Sequence, residues 1–221
     1  MDNGVRSLNA NRYTQYQMNI NLKNVGRRFN KEWIFKNIDF NFSTDNHYAI
    51  LGPNGSGKST LLSVLLGSLT PSEGEVTYYN PNQIRVENIY QYISFSAPYL
   101  DLVEEFTLQE TIDFHFQFKT YADGLNAKEV LALLGLEKSQ DKALKHFSSG
   151  MKQRTKLALA CCTNAPILVL DEPTSNLDAQ GIDWYLNLVN QYAAHKMIIV
   201  GSNQEHEYSF CETRLNISDY K

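Results

Sequence analysis

The sequence is poor in cysteine, short of long apolar runs and without an excess of positive charge. Only three cysteines, Cys161, Cys162 and Cys211, occur in 221 residues. An odd count without regular spacing argues against a disulfide framework or a thiolate metal site, so they read as reduced and structural, in a cytosolic compartment. No apolar run approaches the roughly 20 residues that a helix needs to cross a bilayer. The longest, such as Leu61–Leu66 and Ile167–Leu170, are core-sized, and no direct membrane insertion is expected. Lysine and arginine total 20 against 24 acidic residues, a net charge of −4. No basic stripe is present, so no nucleic acid partner is expected. Repeats and low-complexity segments are also missing. The opening residues MDNGVRSLNANRYTQYQ have no apolar core of the kind a signal peptide carries. They are polar and aperiodic, and read as a loose extension over 1–17, with Met18 as an alternative translation start.

What is present is an alternation of strands and helices. Met18–Val25 and Ile34–Phe42 alternate polar and apolar residues and read as half-buried strands. His47–Leu51 is a short buried strand that runs into a glycine-rich turn and the apolar helix Ser59–Leu66. Further strands are expected at Glu75–Tyr79 and Tyr92–Ser96. The middle is helical. Thr107 and Glu110 have capping-box spacing and open a helix to about Phe118; Asn126 and Glu129 repeat the arrangement before Val130–Leu134. Ser149–Thr163 is a third helix. The strand Ile167–Leu170, a helix from about Ala179 to His195, and the strands Met197–Val200 and Arg214–Ile217 complete the chain. Such alternation implies a parallel sheet covered on both faces.

Gly52-Pro53-Asn54-Gly55-Ser56-Gly57-Lys58-Ser59 matches G-x4-G-K-[ST]. Glycines let successive backbone N–H groups turn inward around phosphate oxygens, and the helix that follows aims its positive dipole end at the same anion. Lys58 would reach the β and γ phosphates of ATP, and the Ser59 hydroxyl would face Mg²⁺; Thr60 closes the loop. A bare glycine-rich turn would match by chance in roughly one chain in a hundred of this length. Here a strand precedes and a helix follows, as the chemistry requires.

Ile167–Leu170 ends in Asp171 and Glu172. An Asp at such a strand end can hold Mg²⁺ beside Ser59, and the next carboxylate can polarise an attacking water as general base. Alone the pattern is weak, because Asp also caps helices. The phosphate loop upstream favours the metal and base roles.

Together these residues resemble the ABC ATPase family. Phe147-Ser148-Ser149-Gly150-Met151-Lys152-Gln153-Arg154 stands where the family has a signature similar to LSGGQ, with Ser149 and Met151 in place of the commoner Gly and Gln. Ser175-Asn176-Leu177-Asp178 resembles the family's D-loop. The resemblance covers about 18–217. It implies an α/β fold: a P-loop NTPase with a parallel-sheet core, an N-terminal antiparallel β portion, and an α-helical subdomain inserted at about 97–148 in a domain spanning 18–221. It also implies ATP hydrolysis with Mg²⁺, and ATP-driven dimerisation in which Ser148, Ser149 and Gly150 meet the γ-phosphate on the opposite subunit. The dimer would be a homodimer or a heterodimer with a second ABC ATPase. The implied partner is a separate membrane permease subunit, which places the chain peripherally on the cytoplasmic face. Tyr99, Leu100, Leu102, Val103 and Phe106 are candidates for that contact, about half of them exposed. Phe29, with Trp33 as the alternative, matches the aromatic that stacks on adenine.

Two positions depart from the family pattern. Pro98 stands where a Gln touching Mg²⁺ is usual, and Asn203, after Ser202, stands where a His contacts the γ-phosphate. Proline has no amide side chain, and Asn cannot hold a proton at neutral pH. Asn203 is taken as the catalytic contact and His206 as a surface histidine. The departures predict slow hydrolysis. They keep alive the alternative of a weakly hydrolysing regulatory or soluble ABC ATPase not coupled to transport.

Overall fold

The computed structural model describes residues 17–44 and 46–221. The extension expected ahead of the first strand, and with it the question of the start at Met1 or Met18, lies almost wholly outside the described residues.

Two sheets organise the chain. Strands β1 (Asn19–Phe29), β2 (Glu32–Ser43), β4 (Glu73–Asn80) and β5 (Asn82–Ile84) form an antiparallel sheet of order β2-β1-β4-β5. β1 and β2 are a hairpin, with Phe29 opposite Glu32 and irregular register between Leu22 and Arg28. The second sheet, of order β6-β7-β8-β3-β9, is parallel throughout. It contains β3 (His47–Leu51), β6 (Ile93–Ser96), β7 (Ile167–Asp171), β8 (Met197–Gly201) and β9 (Thr213–Asn216).

The parallel strands are buried on both faces, which is why they read as unbroken apolar runs. Their side chains divide with period two. Leu168, Leu170, Ile198, Val200 and Ala49 enter one core, under the helices α2 (Leu108–Phe118), α3 (Ala127–Leu134), α4 (Ser149–Cys161) and α5 (Ala179–Tyr192). Ile167, Val169, Met197, Ile199, Tyr48 and Ile50 enter the other, shared with helix α1 (Lys58–Leu65) and the antiparallel sheet.

The capping box of α2 is complete. Thr107 accepts from the Glu110 N–H at 3.1 Å, and the Glu110 carboxylate accepts from the Thr107 N–H at 2.8 Å. The second box expected at Asn126 and Glu129 is a simpler cap: Asn126 accepts from the Lys128 N–H at 2.8 Å, and a Glu129 carboxylate oxygen is buried without a partner. Asn reaches the second N–H of the turn, so the reciprocal half of the box never closes.

Candidate functional site

β3 delivers the chain into the phosphate loop at the carboxyl end of the parallel sheet, and α1 starts at Lys58. The residue before it, Gly57, has φ of 110°, and a Cβ there would lie 2.4 Å from Ile34 Cγ2. Only glycine fits this close approach between the loop and β2. Lys58 is 4% exposed, and its ammonium donates to the Gly52 and Pro53 carbonyls at 2.9 and 3.3 Å. The charge is thus folded over the loop itself, where phosphate oxygens would compete for it. The Ser56 hydroxyl is buried beside it without a hydrogen-bond partner. Gly52, Asn54 and Gly55 complete the rim, and Ser59 and Thr60 stand in the first turn of α1.

Asp171 ends β7 next to β8, paired with Gly201. It is 1% exposed, and neither carboxylate oxygen has a well-directed hydrogen bond. Burial pushes its pKa up, and the Glu172 charge adds to that; the nearby Ser59 and Tyr99 hydroxyls and the Lys58 ammonium pull it back. A buried carboxylate with unfilled lone pairs beside a serine hydroxyl is a donor set suited to Mg²⁺, a hard cation that takes oxygen ligands. The residues therefore fit the cofactor. Glu172 follows in left-handed backbone, φ 42°, with its N–H donating to the Gly201 carbonyl at 2.9 Å. That conformation is costly for a non-glycine residue, and strain of this kind clusters at active sites. Glu172 is half-buried there.

Asn203 follows β8, is exposed, and donates from Nδ2 to Asn54 Oδ1 at 3.3 Å. It thus meets the phosphate loop. Beneath it lies a cluster that the motifs do not reveal. Glu207 is fully buried and accepts from the Thr174 N–H at 2.8 Å, from the Thr174 hydroxyl and from the Ser202 hydroxyl. The Thr174 hydroxyl proton goes to Glu207, so His206 Nε2 donates to Thr174 Oγ1, at 3.1 Å. His206 is therefore a half-buried member of this cluster, not the surface histidine expected. The cluster ties the Asn203 loop to the turn after Glu172.

The signature opens α4. Ser148 is its N-cap and accepts from the Met151 N–H at 3.2 Å; Ser149 and Gly150 form the first turn. A Cβ on Gly150 would lie 2.9 Å from the Asn176 carbonyl oxygen, so the signature and the D-loop are in contact. One turn on, Gln153 donates to the Pro173 carbonyl at 2.8 Å. Asp178 caps α5 by accepting from the Gly181 N–H at 2.8 Å.

At the hairpin tip, Phe29 is 46% exposed under the Arg27 guanidinium, at 4.6 Å from its ring centroid. Trp33 is covered by Arg28 and Lys36, each at 5.4 Å. Pro98 has no side-chain donor, but its carbonyl and that of Ala97 accept from the Lys156 ammonium. Among the described residues no helix is long and apolar enough to cross a membrane.

The chain is similar to several known proteins. YybJ of Bacillus subtilis, an uncharacterized ABC transporter ATP-binding protein, is 28% identical over 207 residues, covering 90% of this chain and 92% of that one. The lantibiotic transport ATP-binding protein SrtF of Streptococcus pyogenes is 28% identical over 189 residues, 83% of this chain and 79% of its own. A dimeric ATP-binding cassette solved in a post-hydrolysis state with ADP and Pi superposes with a TM-score of 0.75 at 26% identity, over 89% of this chain and 93% of that one. The family profile described as ABC transporter matches residues 35–175, and with it the chain belongs to the ABC transporter family as an ATP-binding and ATP-hydrolysing subunit.

Proposed function

We propose that this chain closes face to face on MgATP, with a second copy or a second cassette, and that closure and hydrolysis drive a separate membrane permease from its cytoplasmic face. The observation that carries this reading is the juxtaposition of the phosphate loop with the buried, unpartnered Asp171 carboxylate.

Each residue has a role in that reading. The backbone N–H groups of the loop and the α1 dipole hold the phosphates, and the Lys58 ammonium leaves its two carbonyls for phosphate oxygens. Ser59 and Asp171 would hold Mg²⁺, which would supply positive charge beside the phosphate oxygens. Glu172 accepts the proton of the attacking water. Asn203 donates to the γ-phosphate, steadied by the Glu207 cluster. Phe29 stacks on adenine, with Trp33 as the alternative. Ser148, Ser149 and Gly150 offer hydroxyl and N–H groups to the nucleotide bound by the opposite subunit.

The helical stretch at about 97–148 is the inserted subdomain in this reading, and its surface is where a permease would dock. Tyr99, Leu100 and Val103 are exposed there, whereas Leu102 and Phe106 are partly buried. Helix α2 extends the patch: Phe106, Phe114 and Phe118 form an edge-to-face ladder at 5.5 and 5.3 Å, with Phe118 73% exposed. Exposed aromatics in a contiguous group mark interaction surfaces.

The test is gel filtration of Glu172→Gln with MgATP, alongside Lys58→Ala in calorimetry. Glu172→Gln should give an ATP-dependent dimer, and Lys58→Ala should lose tight MgATP binding, by about 1.5–3 kcal/mol for one charge-assisted contact. Native protein that binds no MgATP would overturn the reading.

A further inference from the structure

The chain leaves β6 through Ala97, Pro98 and Tyr99. β6 runs beside β7 with Ser96 opposite Leu170, which brings the residues after Ser96 alongside Asp171. Ala97 is fully buried there. From α4, the Lys156 ammonium donates to two consecutive carbonyls, Ala97 at 3.1 Å and Pro98 at 2.7 Å, and the Leu100 N–H closes a turn back onto Ala97 at 3.3 Å. Few conformations remain to a segment held this way. Tyr99 projects from it with its ring tilted against Phe95, 6.4 Å between centroids. Its hydroxyl lies close enough to Asp171 for each group to act on the other's charge. The pair stops short of a well-directed hydrogen bond, since both Asp171 oxygens remain unpartnered.

We propose that Tyr99 is a positioning residue of the magnesium site: its hydroxyl donates to Asp171, directly or through one water, and orients that carboxylate toward the cation, with Lys156 fixing the loop that carries it. The proposal rests on the reading of Asp171 as the magnesium-side carboxylate. It gives the Tyr99 ring a role apart from the permease contact assigned to the same surface. A phenol is a suitable donor here, because it carries one proton to give. Pro98 offers no side-chain donor, whereas Tyr99 next to it carries a hydroxyl.

The experiment titrates Mn²⁺ into the full chain saturated with a non-hydrolysable ATP analogue, following free Mn²⁺ by electron paramagnetic resonance. Native protein, Tyr99→Phe, Tyr99→Gln and Lys156→Met are compared, each with its affinity for the analogue in EDTA. Tyr99→Phe should weaken Mn²⁺ binding about ten- to a hundredfold, the range for losing a group that orients a metal ligand, and leave the metal-free affinity unchanged. Tyr99→Gln, which restores an N–H donor, should recover part of the loss, and Lys156→Met should weaken Mn²⁺ binding in the same direction. Native Mn²⁺ affinity in Tyr99→Phe would overturn the proposal. So would an equal loss with and without metal, which would reduce Tyr99 to loop packing. If native protein binds the analogue but no Mn²⁺, the reading of Asp171 itself fails, and that result is separate from any effect at Tyr99.

Discussion

The side-chain amide of Asn203 donates to the Asn54 side-chain oxygen at 3.3 Å, across 149 positions of sequence. This contact brings the loop after β8 onto the phosphate loop, the neighbourhood in which a γ-phosphate donor has to stand. Asn203 is short, neutral and exposed. Phosphoryl transfer depends mostly on positioning, so a donor held less firmly should cost turnover more than affinity. Asn203→His should raise steady-state ATPase at saturating MgATP, by at most about a hundredfold, the cost of one missing transition-state donor elsewhere. Asn203→Ala should lower it. If Ala matches the native rate and His does not exceed it, Asn203 does not contact the reacting phosphate.

Gly150 joins the signature to the D-loop with no room for a side chain, because a Cβ would stand 2.9 Å from a backbone oxygen of Asn176. Asn176 itself has φ of 67°, so its turn cannot shift freely. Gly150→Ala should therefore displace the D-loop and with it the face proposed to meet the second subunit. In the Glu172→Gln background, dimerisation with ATP should weaken at least about tenfold, the equivalent of about 1.4 kcal/mol. MgATP affinity of the monomer should stay within about twofold. A dimer of unchanged stability would show that this contact tolerates a methyl group and has no part in closure.

The parts that were legible in the sequence are those whose physics is local. Gly52–Ser59 needs particular residue types at fixed spacing, because loop and helix start are continuous chain. Strands such as Ile167–Asp171 announce themselves because burial on both faces demands an unbroken apolar run. The illegible parts are side chains that meet across long separations. Glu207 lies in the run Glu205-His206-Glu207, which looks like solvated charge, yet it is fully buried and holds Thr174 33 positions away. Lys156 reaches the Ala97 and Pro98 carbonyls across 59 and 58 positions, and nothing in helical spacing singles it out among the lysines of α4. Pro98 read as a loss from the family pattern. Tyr99, one residue later, carries a hydroxyl.

His115 couples α2 to the end of α4. The Thr163 hydroxyl donates to the Leu159 carbonyl at 2.7 Å, so His115 Nε2 must be the protonated nitrogen in its 2.9 Å contact with Thr163 Oγ1. Burial, with the Lys119 charge behind it, lowers the His115 pKa to about 4. The unfolded chain, with a pKa near 6.5, therefore binds more protons between those values, and stability falls as pH drops from 6.5 toward 4. The loss from pH 7.5 to pH 5 should be on the order of 1–2 kcal/mol for this group. Chemical unfolding of native protein and His115→Gln, which keeps a side-chain donor, isolates the effect as the difference between their pH profiles. An equal acid loss in both would remove His115 as its source.

Lys196 shows the opposite side of buried charge. Its ammonium is 1% exposed and donates to the Cys161 and Thr163 carbonyls, at 2.8 and 2.7 Å, where α4 ends. Those carbonyls carry the negative end of the helix dipole, which favours a cation. Burial nevertheless dominates and lowers the pKa to about 8, with Cys161 and Cys162 opposing it. The sign follows from linkage. Between about 8 and the ordinary value of 10.5 the unfolded chain holds the proton more often than the folded one. Stability from this group therefore rises as pH rises through that window, and the cost of burying the charge is fully present below it. From pH 7.5 to pH 10 the gain should be about 2 kcal/mol. Bulk stability will not display it alone, because burial raises the pKa values of Cys161, Cys162 and Cys211 to about 12, and keeping those thiols protonated makes the folded state lose ground above pH 9. Lys196→Met separates the two. It leaves two carbonyls without their donor, an offset of about 1–3 kcal/mol each that does not vary with pH, and it keeps every thiol. The difference in unfolding free energy, native minus variant, measured in urea at pH 7.5, 9 and 10, should climb by about 2 kcal/mol across the series. A flat difference would mean that Lys196 keeps its ordinary pKa in the folded chain, and the buried ammonium would then carry no cost.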